Sequence, residues 1–210
     1  MAVLFQTKKF KGDFPAIWRG ECKVLPGGFA PVQTLATGTV VYRGTPLCVD
    51  FDNMQAAIVK VAKVVSGGTT TKPRVSKGSY FAVGDTVFKI GNDASGKTIS
   101  AIDTSNDDYD VLTLSGAITG LVADDFLQEA VIEQVTTGEG TAQTTTNVAS
   151  AKYVANAVVA SDLEIKGMGI PTLDAAYEAV ILKNVAAPIP PAWLDGYCLA
   201  TNHNIIYIKQ

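Results

Sequence analysis

The feature that most constrains the fold is a succession of short β-prone segments separated by turn-forming residues. The stretch 77–114 shows it best, because β-branched and aromatic residues alternate there with glycine, asparagine and aspartate. Thr86 to Ile90 and Asp110 to Leu114 both have the composition of strands. We therefore predict a mainly β fold, a β-rich module with one to three short helices and an extended N-terminal arm.

Residues Gly91 to Thr98 match the phosphate-binding pattern G-x-x-x-x-G-K-[ST]. In that motif a strand enters the loop, and a helix leaves it with its N-terminus towards the phosphates. Thr86 to Ile90 suits the strand. The residues after Thr98 do not suit the helix, because Ile99 and Ile102 are β-branched and turn-forming residues follow. A nucleotide-binding enzyme that uses this motif is the remote alternative.

A β-hairpin fits the same stretch better. In it, Asn92 to Lys97 would connect two strands, and Gly91 and Gly96 would supply positive φ angles. We therefore predict that no cofactor binds the four residues that define the pattern, which are Gly91, Gly96, Lys97 and Thr98.

An acidic cluster follows in the same stretch. Its members are Asp103, Asn106, Asp107, Asp108 and Asp110. A calcium loop needs glycine at its sixth position and glutamate at its twelfth, but counting from Asp103 places Asp108 and Leu114 there. The pattern favours a solvated turn, so we predict no metal site.

Composition argues against several classes of function. A net charge of −3 gives no electrostatic footprint for nucleic acid. No apolar run approaches the ~20 residues of a membrane span, and Ala2 to Phe5 is too short for the apolar region of a signal peptide. His203 is the only histidine, so a zinc site would lack further histidine ligands, and any His-dependent mechanism would have to use this one residue. We predict a protein made in the cytosol that is neither an enzyme nor a cofactor binder.

Low charge content, at 18%, indicates that other subunits cover part of the surface. Four regions are predicted along the chain. They are an extended aromatic and proline-containing arm at 1–34, a β-rich domain at 35–135, a Gly/Thr-rich linker at 136–147 and a C-terminal β-rich region at 148–210. The last region either forms a separate domain or packs into the same domain as 35–135.

Several short turns and strands, taken in order, resemble a known family. The segments are Arg43-Gly44-Thr45-Pro46, Val75-Ser76-Lys77-Gly78, Phe81-Ala82-Val83-Gly84-Asp85, Gly96-Lys97-Thr98-Ile99, Leu112-Thr113-Leu114 and Leu127. They resemble capsid auxiliary proteins of tailed bacteriophages, of the head fibre or head decoration type. The resemblance is closest to those of crAss-like and other Bacteroidales phages, and it extends to the small lambda-type decoration fold.

This resemblance implies a structural protein on the exterior of the virion. Such a protein is assembled in the host cytoplasm, binds the major capsid protein outside the expanded icosahedral head as a homotrimer, and braces neighbouring capsomers. Because aromatic anchors dominate interfaces, we predict that Phe10, Phe14 and Trp18 contact the shell or a sister subunit. The alternative is a head-fibre module that binds host-surface glycans, for which Trp193 and Tyr197 form the plausible aromatic pair.

Overall fold

The computed structural model describes residues 17–25, 28–137, 144–166 and 171–209. Strands account for 49% of the chain, so the prediction of a mainly β fold is confirmed. A 3-10 turn at Pro191–Trp193 is a short helix, of which one to three were predicted. Proline suits this position because its fixed φ favours the first helical residue and its missing N–H needs no partner there.

Nine strands form the larger sheet. They are β1 (Lys23–Val24), β2 (Ala30–Pro31), β4 (Pro46–Asp50), β5 (Gln55–Ile58), β13 (Ala157–Val159), β15 (Ala175–Leu182), β16 (Leu194–Asp195), β17 (Cys198–Leu199) and β18 (Asn202–Ile208). The strand order is β16-β17-β18-β15-β13-β4-β5-β2, and β1 also pairs with β15. Pairing is antiparallel except between β15 and β18 and between β2 and β5. A separate two-stranded pair joins β3 (Val40–Val41) to β14 (Leu163–Glu164).

Seven strands form the other sheet. They are β6 (Val61–Val65), β7 (Arg74–Ser76), β8 (Thr86–Lys89), β9 (Asn92–Asp103), β10 (Tyr109–Leu114), β11 (Phe126–Thr137) and β12 (Thr144–Ala151). Six of them close into a ring in the order β11-β6-β7-β10-β9-β8, because β8 pairs back onto β11. The strand β12 pairs with the far half of β11, outside this ring.

Alternate side chains along the strands point into the ring and fill its interior. In β10, Asp110, Leu112 and Leu114 are buried, whereas the residues between them are only partly buried. One buried side chain from each strand of the ring packs into a shared interior; these are Val64, Val75, Val87, Ile99, Leu112 and Leu127. Ring closure pairs both edges of these strands within the chain, which leaves few free edges for aggregation.

The nine-stranded sheet is covered on both faces at its centre. In β13, Ala157 and Val159 belong to one core cluster, and Val158 belongs to the other. A strand buried on both sides has continuous apolar residues instead of alternating ones. The same holds for β5, in which Ala56, Ala57 and Ile58 are all buried. Such a strand does not show the period-2 alternation by which a half-buried strand is recognised in a sequence.

The described part of the predicted arm, 17–25 and 28–34, lies along the chain's own nine-stranded sheet. Trp18 forms a β-bridge with Ile181, and Phe29 forms one with Leu173. Phe29 is almost completely buried in the core. The described part of the arm therefore helps to complete the fold.

The described ends of the predicted linker at 136–147 are strand residues. Thr136 pairs with Thr145 and Thr137 with Thr144, so both ends continue the β11–β12 hairpin. Residues 138–143 lie outside the described residues. Threonine is β-prone, and the polarity of this segment reflects an exposed ribbon.

The division into 35–135 and 148–210 stays a prediction about folding units. The hydrogen bonding follows another division, because all strands of the nine-stranded sheet lie before residue 59 or after residue 156, whereas all strands of the seven-stranded sheet lie within 61–151.

Candidate interaction surfaces

The phosphate-loop match lies on a β-hairpin, as predicted. Strand β8 ends at Lys89, Ile90 and Gly91 make the turn, and β9 begins at Asn92. Gly91 has φ +86°, which an L-residue adopts only with strain. The predicted connection over Asn92 to Lys97 is wrong, because those residues already belong to β9.

Gly96 has a different role from the one predicted. It is not among the positive-φ glycines. A Cβ at this position would collide with the Ile132 side chain and lie 3.1 Å from the Cβ of Ala149. Glycine is therefore needed here because the β11–β12 hairpin crosses closely over β9.

The backbone groups of Thr98, the last residue of the motif, are hydrogen-bonded within the protein. The Thr98 N–H donates to the Ser115 hydroxyl at 3.1 Å, and the Thr98 carbonyl accepts from the Ser115 N–H at 2.8 Å. The chain continues after Thr98 as a strand to Asp103, so the motif is not followed by a helix N-terminus that would face a phosphate. That the motif binds no cofactor stays a prediction.

The acidic cluster forms the turn between β9 and β10. Asp103 accepts a hydrogen bond from the Ser105 N–H at 3.0 Å. Hydrogen bonding by the Ser105 side chain, together with this N–H, holds the pKa of Asp103 below its ordinary value. Asn106 accepts from the Asp108 N–H at 2.9 Å, while Asp110 is buried and pairs with Lys77 at 2.7 Å. Across the four described ranges, no three His, Cys, Asp or Glu side chains are grouped so that they could hold a metal ion.

Two of the three predicted contact residues, Phe10 and Phe14, lie outside the described residues. Trp18 is partly buried and packs against the core cluster that contains Ile181 and Tyr207. The neighbouring Arg19 N–H donates to the Val180 carbonyl at 2.8 Å, which fixes this segment to β15. Contact between Trp18 and a shell or a sister subunit stays a prediction.

Trp193 and Tyr197 do not share one environment. Trp193 packs against the core of the nine-stranded sheet, whereas Tyr197 is 69% exposed. Tyr197 is therefore a surface residue, whereas Trp193 is not.

The β11–β12 hairpin presents an exposed face that sequence reasoning missed. We call this face the outer ribbon face; its members are Val131, Glu133, Val135, Thr146, Val148 and Ser150. Alternation places these side chains on one side, while Ala130 and Ala149 pack against Phe88 on the other. Val131 is 36% and Val135 40% exposed, and Glu133 carries the one charge of this face. The β-branched residues Val131, Ile132 and Val135 were the available signal.

A buried group of charges connects the two sheets. Glu129 on β11 is almost fully buried; its Oε1 accepts from Lys152 Nζ at 2.7 Å and lies 3.7 Å from Lys60 Nζ. Lys60 also binds Asp85 at 2.6 Å. Lys60 lies between β5 and β6, and Lys152 lies between β12 and β13, where the chain passes from one sheet to the other. We call Lys60, Asp85, Glu129 and Lys152 the junction cluster; its ion pairs attach both connecting segments to β11. The hydrogen bond to Glu129 raises the pKa of Lys152.

No helix within the described ranges is long and apolar enough to cross a membrane. No known protein family, curated protein or solved structure matches this chain significantly. The resemblance to phage head proteins therefore stays a prediction that rests on the chain's own residues.

Proposed function

We propose that this protein is a structural capsid auxiliary protein of a tailed bacteriophage. It binds the major capsid protein on the outside of the expanded icosahedral head, as a homotrimer, and stabilises contacts between capsomers. It is assembled in the host cytoplasm and acts without catalysis or a cofactor. A clamp of this kind needs surface area, apolar anchors and symmetric repetition rather than a titrating group.

The observation that carries the proposal is the placement of the segments that resemble the family. Five of the six belong to the six-stranded ring or the loops attached to it. Val75, Ile99, Leu112 and Leu127 pack together in its interior. Asp85 organises the turn before β8, where its carboxylate accepts from the Ala82 N–H at 2.7 Å. Segments scattered along 75–127 thus contribute to one structural unit, as expected if they describe one module.

The outer ribbon face is the proposed contact with the shell. Its two exposed valines, Val131 and Val135, lie on strand β11 beyond the point where the ring closes. Glu133 is the one charged residue of this face, and a low content of charge favours burial in an interface. Phe10, Phe14 and Trp18 remain proposed as additional contacts.

The test is co-sedimentation of the purified protein with expanded heads that lack it. We expect saturable binding at a fixed ratio to the major capsid subunit. The double variant Val131→Lys/Val135→Lys should bind at least about 10-fold more weakly, because two cations would enter an apolar contact. Val83→Lys is the matched control, since Val83 is 63% exposed in the loop before β8. Absence of co-sedimentation by the folded wild-type protein would reject the proposal.

If the double lysine variant binds as well as the wild type, the outer ribbon face is not the contact with the shell. The proposed capsid role would not be rejected by that result. In that case Trp18→Ala is the next variant. It should reduce binding if Trp18 contacts the shell. Because Trp18 also packs against the core cluster that contains Ile181 and Tyr207, binding is measured at a temperature at which thermal unfolding shows the variant to be folded.

A further inference from the structure

An open cavity of about 400 Å³ lies between the nine-stranded sheet and the loop that follows β7. Its floor is apolar and includes Ile17 and Ala186, while Tyr42, Arg43, Lys77 and Asp162 surround it. Its volume lies within the range of pockets that bind small molecules, ~300–1,000 Å³. Nothing in the proposed capsid contact uses this cavity.

Internal hydrogen bonds hold the wall of the cavity in place. The Asp162 carboxylate accepts from the Arg43 N–H at 2.7 Å, and its second oxygen lies 3.5 Å from the Arg43 guanidinium. The Tyr80 hydroxyl accepts from the Tyr42 N–H at 3.0 Å and lies 3.3 Å from the Thr45 hydroxyl. A ligand would therefore meet walls that are already ordered, which lowers the entropic cost of binding.

The charges around the cavity are balanced. Arg43 faces Asp162, and Lys77 binds Asp110 at 2.7 Å and the Thr104 carbonyl at 3.0 Å. Two cations are thus compensated by two carboxylates. A phosphate or another anion would have to compete with carboxylates that already occupy the cations, so the site favours a neutral ligand.

The remaining surface combines an aromatic ring with groups that both donate and accept hydrogen bonds. Tyr42 is 57% exposed at the rim, so its ring is available for packing against an apolar face of a ligand. Hydrogen-bond donors and acceptors lie around the ring; they are the Tyr42 hydroxyl, the Asp162 carboxylate and the Lys77 ammonium. Hydroxyl groups on a saturated ring satisfy both kinds of partner, while the C–H face of that ring packs against tyrosine and the apolar floor.

We propose that this cavity binds a neutral saccharide unit, either as a free sugar or as part of a glycan chain. Tyr42 packs against the ring, and Asp162 and Lys77 bind its hydroxyl groups. This assignment rests on the cavity alone and is independent of binding to a phage head.

Saturation-transfer NMR on the purified protein tests it. The free-sugar probes are glucose, galactose and N-acetylglucosamine; the chain probes are maltohexaose and chitohexaose; inorganic phosphate is the charged probe. We expect at least one sugar to bind with a Kd of about 1 mM or tighter and phosphate not to compete. Tighter binding of a hexamer identifies a glycan chain as the ligand, and binding of free sugars alone identifies a free sugar or a chain end.

Tyr42→Ala should weaken sugar binding by about 10-fold or more, because it removes the ring that packs on the sugar. The variant keeps the backbone N–H that Tyr80 accepts from, so the wall stays ordered, and thermal unfolding verifies this. Tyr197→Ala, another exposed tyrosine, is the matched control and should bind normally. The proposal is overturned if no sugar binds at about 10 mM, if phosphate displaces the sugar, or if the two variants lose binding equally.

Discussion

At the scale of single residues, burial and close approach decide which side chains the fold tolerates. Tyr207 on β18 is 1% exposed, inside the core of the nine-stranded sheet. Burial raises the pKa of its phenol above the ordinary value of 10.0, because the charged phenolate would lose its hydration. The folded state therefore keeps a proton that the unfolded state releases above pH 10.

We predict an alkaline loss of stability that depends on Tyr207. The contribution is complete below pH 10 and falls by about 1.4 kcal/mol per pH unit above it, since folding then requires the neutral phenol. Urea unfolding between pH 8 and 11 measures the slope. Tyr207→Phe should flatten it, whereas Tyr197→Phe, at an exposed site, should leave it unchanged. Equal slopes for wild type and Tyr207→Phe would contradict the prediction.

At the scale of elements, the crossing of the β11–β12 hairpin over β9 depends on Gly96. A side chain there would meet Ile132 and Ala149, so the hairpin could no longer lie against β9. The crossing also buries the small residues Ala130 and Ala149 against Phe88. Small residues on both sides are what allow two strands to approach face to face.

Gly96→Val should destabilise the protein by about 1–3 kcal/mol, as expected for overpacking of a close contact. The measurement is the midpoint of urea unfolding at constant slope. Gly116→Val is the matched control, because a Cβ at Gly116 would meet only the flexible Lys97 side chain, at 3.5 Å. Equal destabilisation by both variants would show that valine acts through backbone conformation and not through the crossing.

At the scale of the whole molecule, the junction cluster fixes the passages between the two sheets. Glu129 is the one member that is almost fully buried, and its Oε2 has no hydrogen-bond partner in the part of the chain that the structure describes. A buried carboxylate without a cationic partner would destabilise the folded state. The two lysines are therefore required to stabilise the fold around Glu129.

Glu129→Gln should lower the free energy of unfolding by about 3 kcal/mol, because it leaves Lys60 and Lys152 with one carboxylate, Asp85, in a mostly buried site. Chemical denaturation measures the change. Glu178→Gln is the control, since it breaks the exposed pair with Lys23, whose two side chains are well solvated. The interpretation fails if Glu129→Gln is no more harmful than Glu178→Gln.

The candidate surfaces were only partly predictable from sequence. The β8–β9 hairpin, the turn at 103–110 and the strand at the C-terminal end follow from local composition, because β-branched residues and turn formers act within a few positions. The outer ribbon face was missed because the Gly/Thr-rich stretch beside it suggested a linker. The cavity was missed because Tyr42, Lys77 and Asp162 are far apart in the chain.

By itself, the sequence determined that the chain is mainly β and that a turn follows Asp103, since both depend on residues that are close together in the chain. Tertiary structure alone decided that β8 closes onto β11, that β15 runs parallel to β18, and that residues before 59 share a sheet with those after 156. Every strand offers the same backbone N–H and C=O groups, so side-chain pattern specifies which face is buried but not which strand lies alongside. That choice is made by how the buried side chains of distant strands fit together.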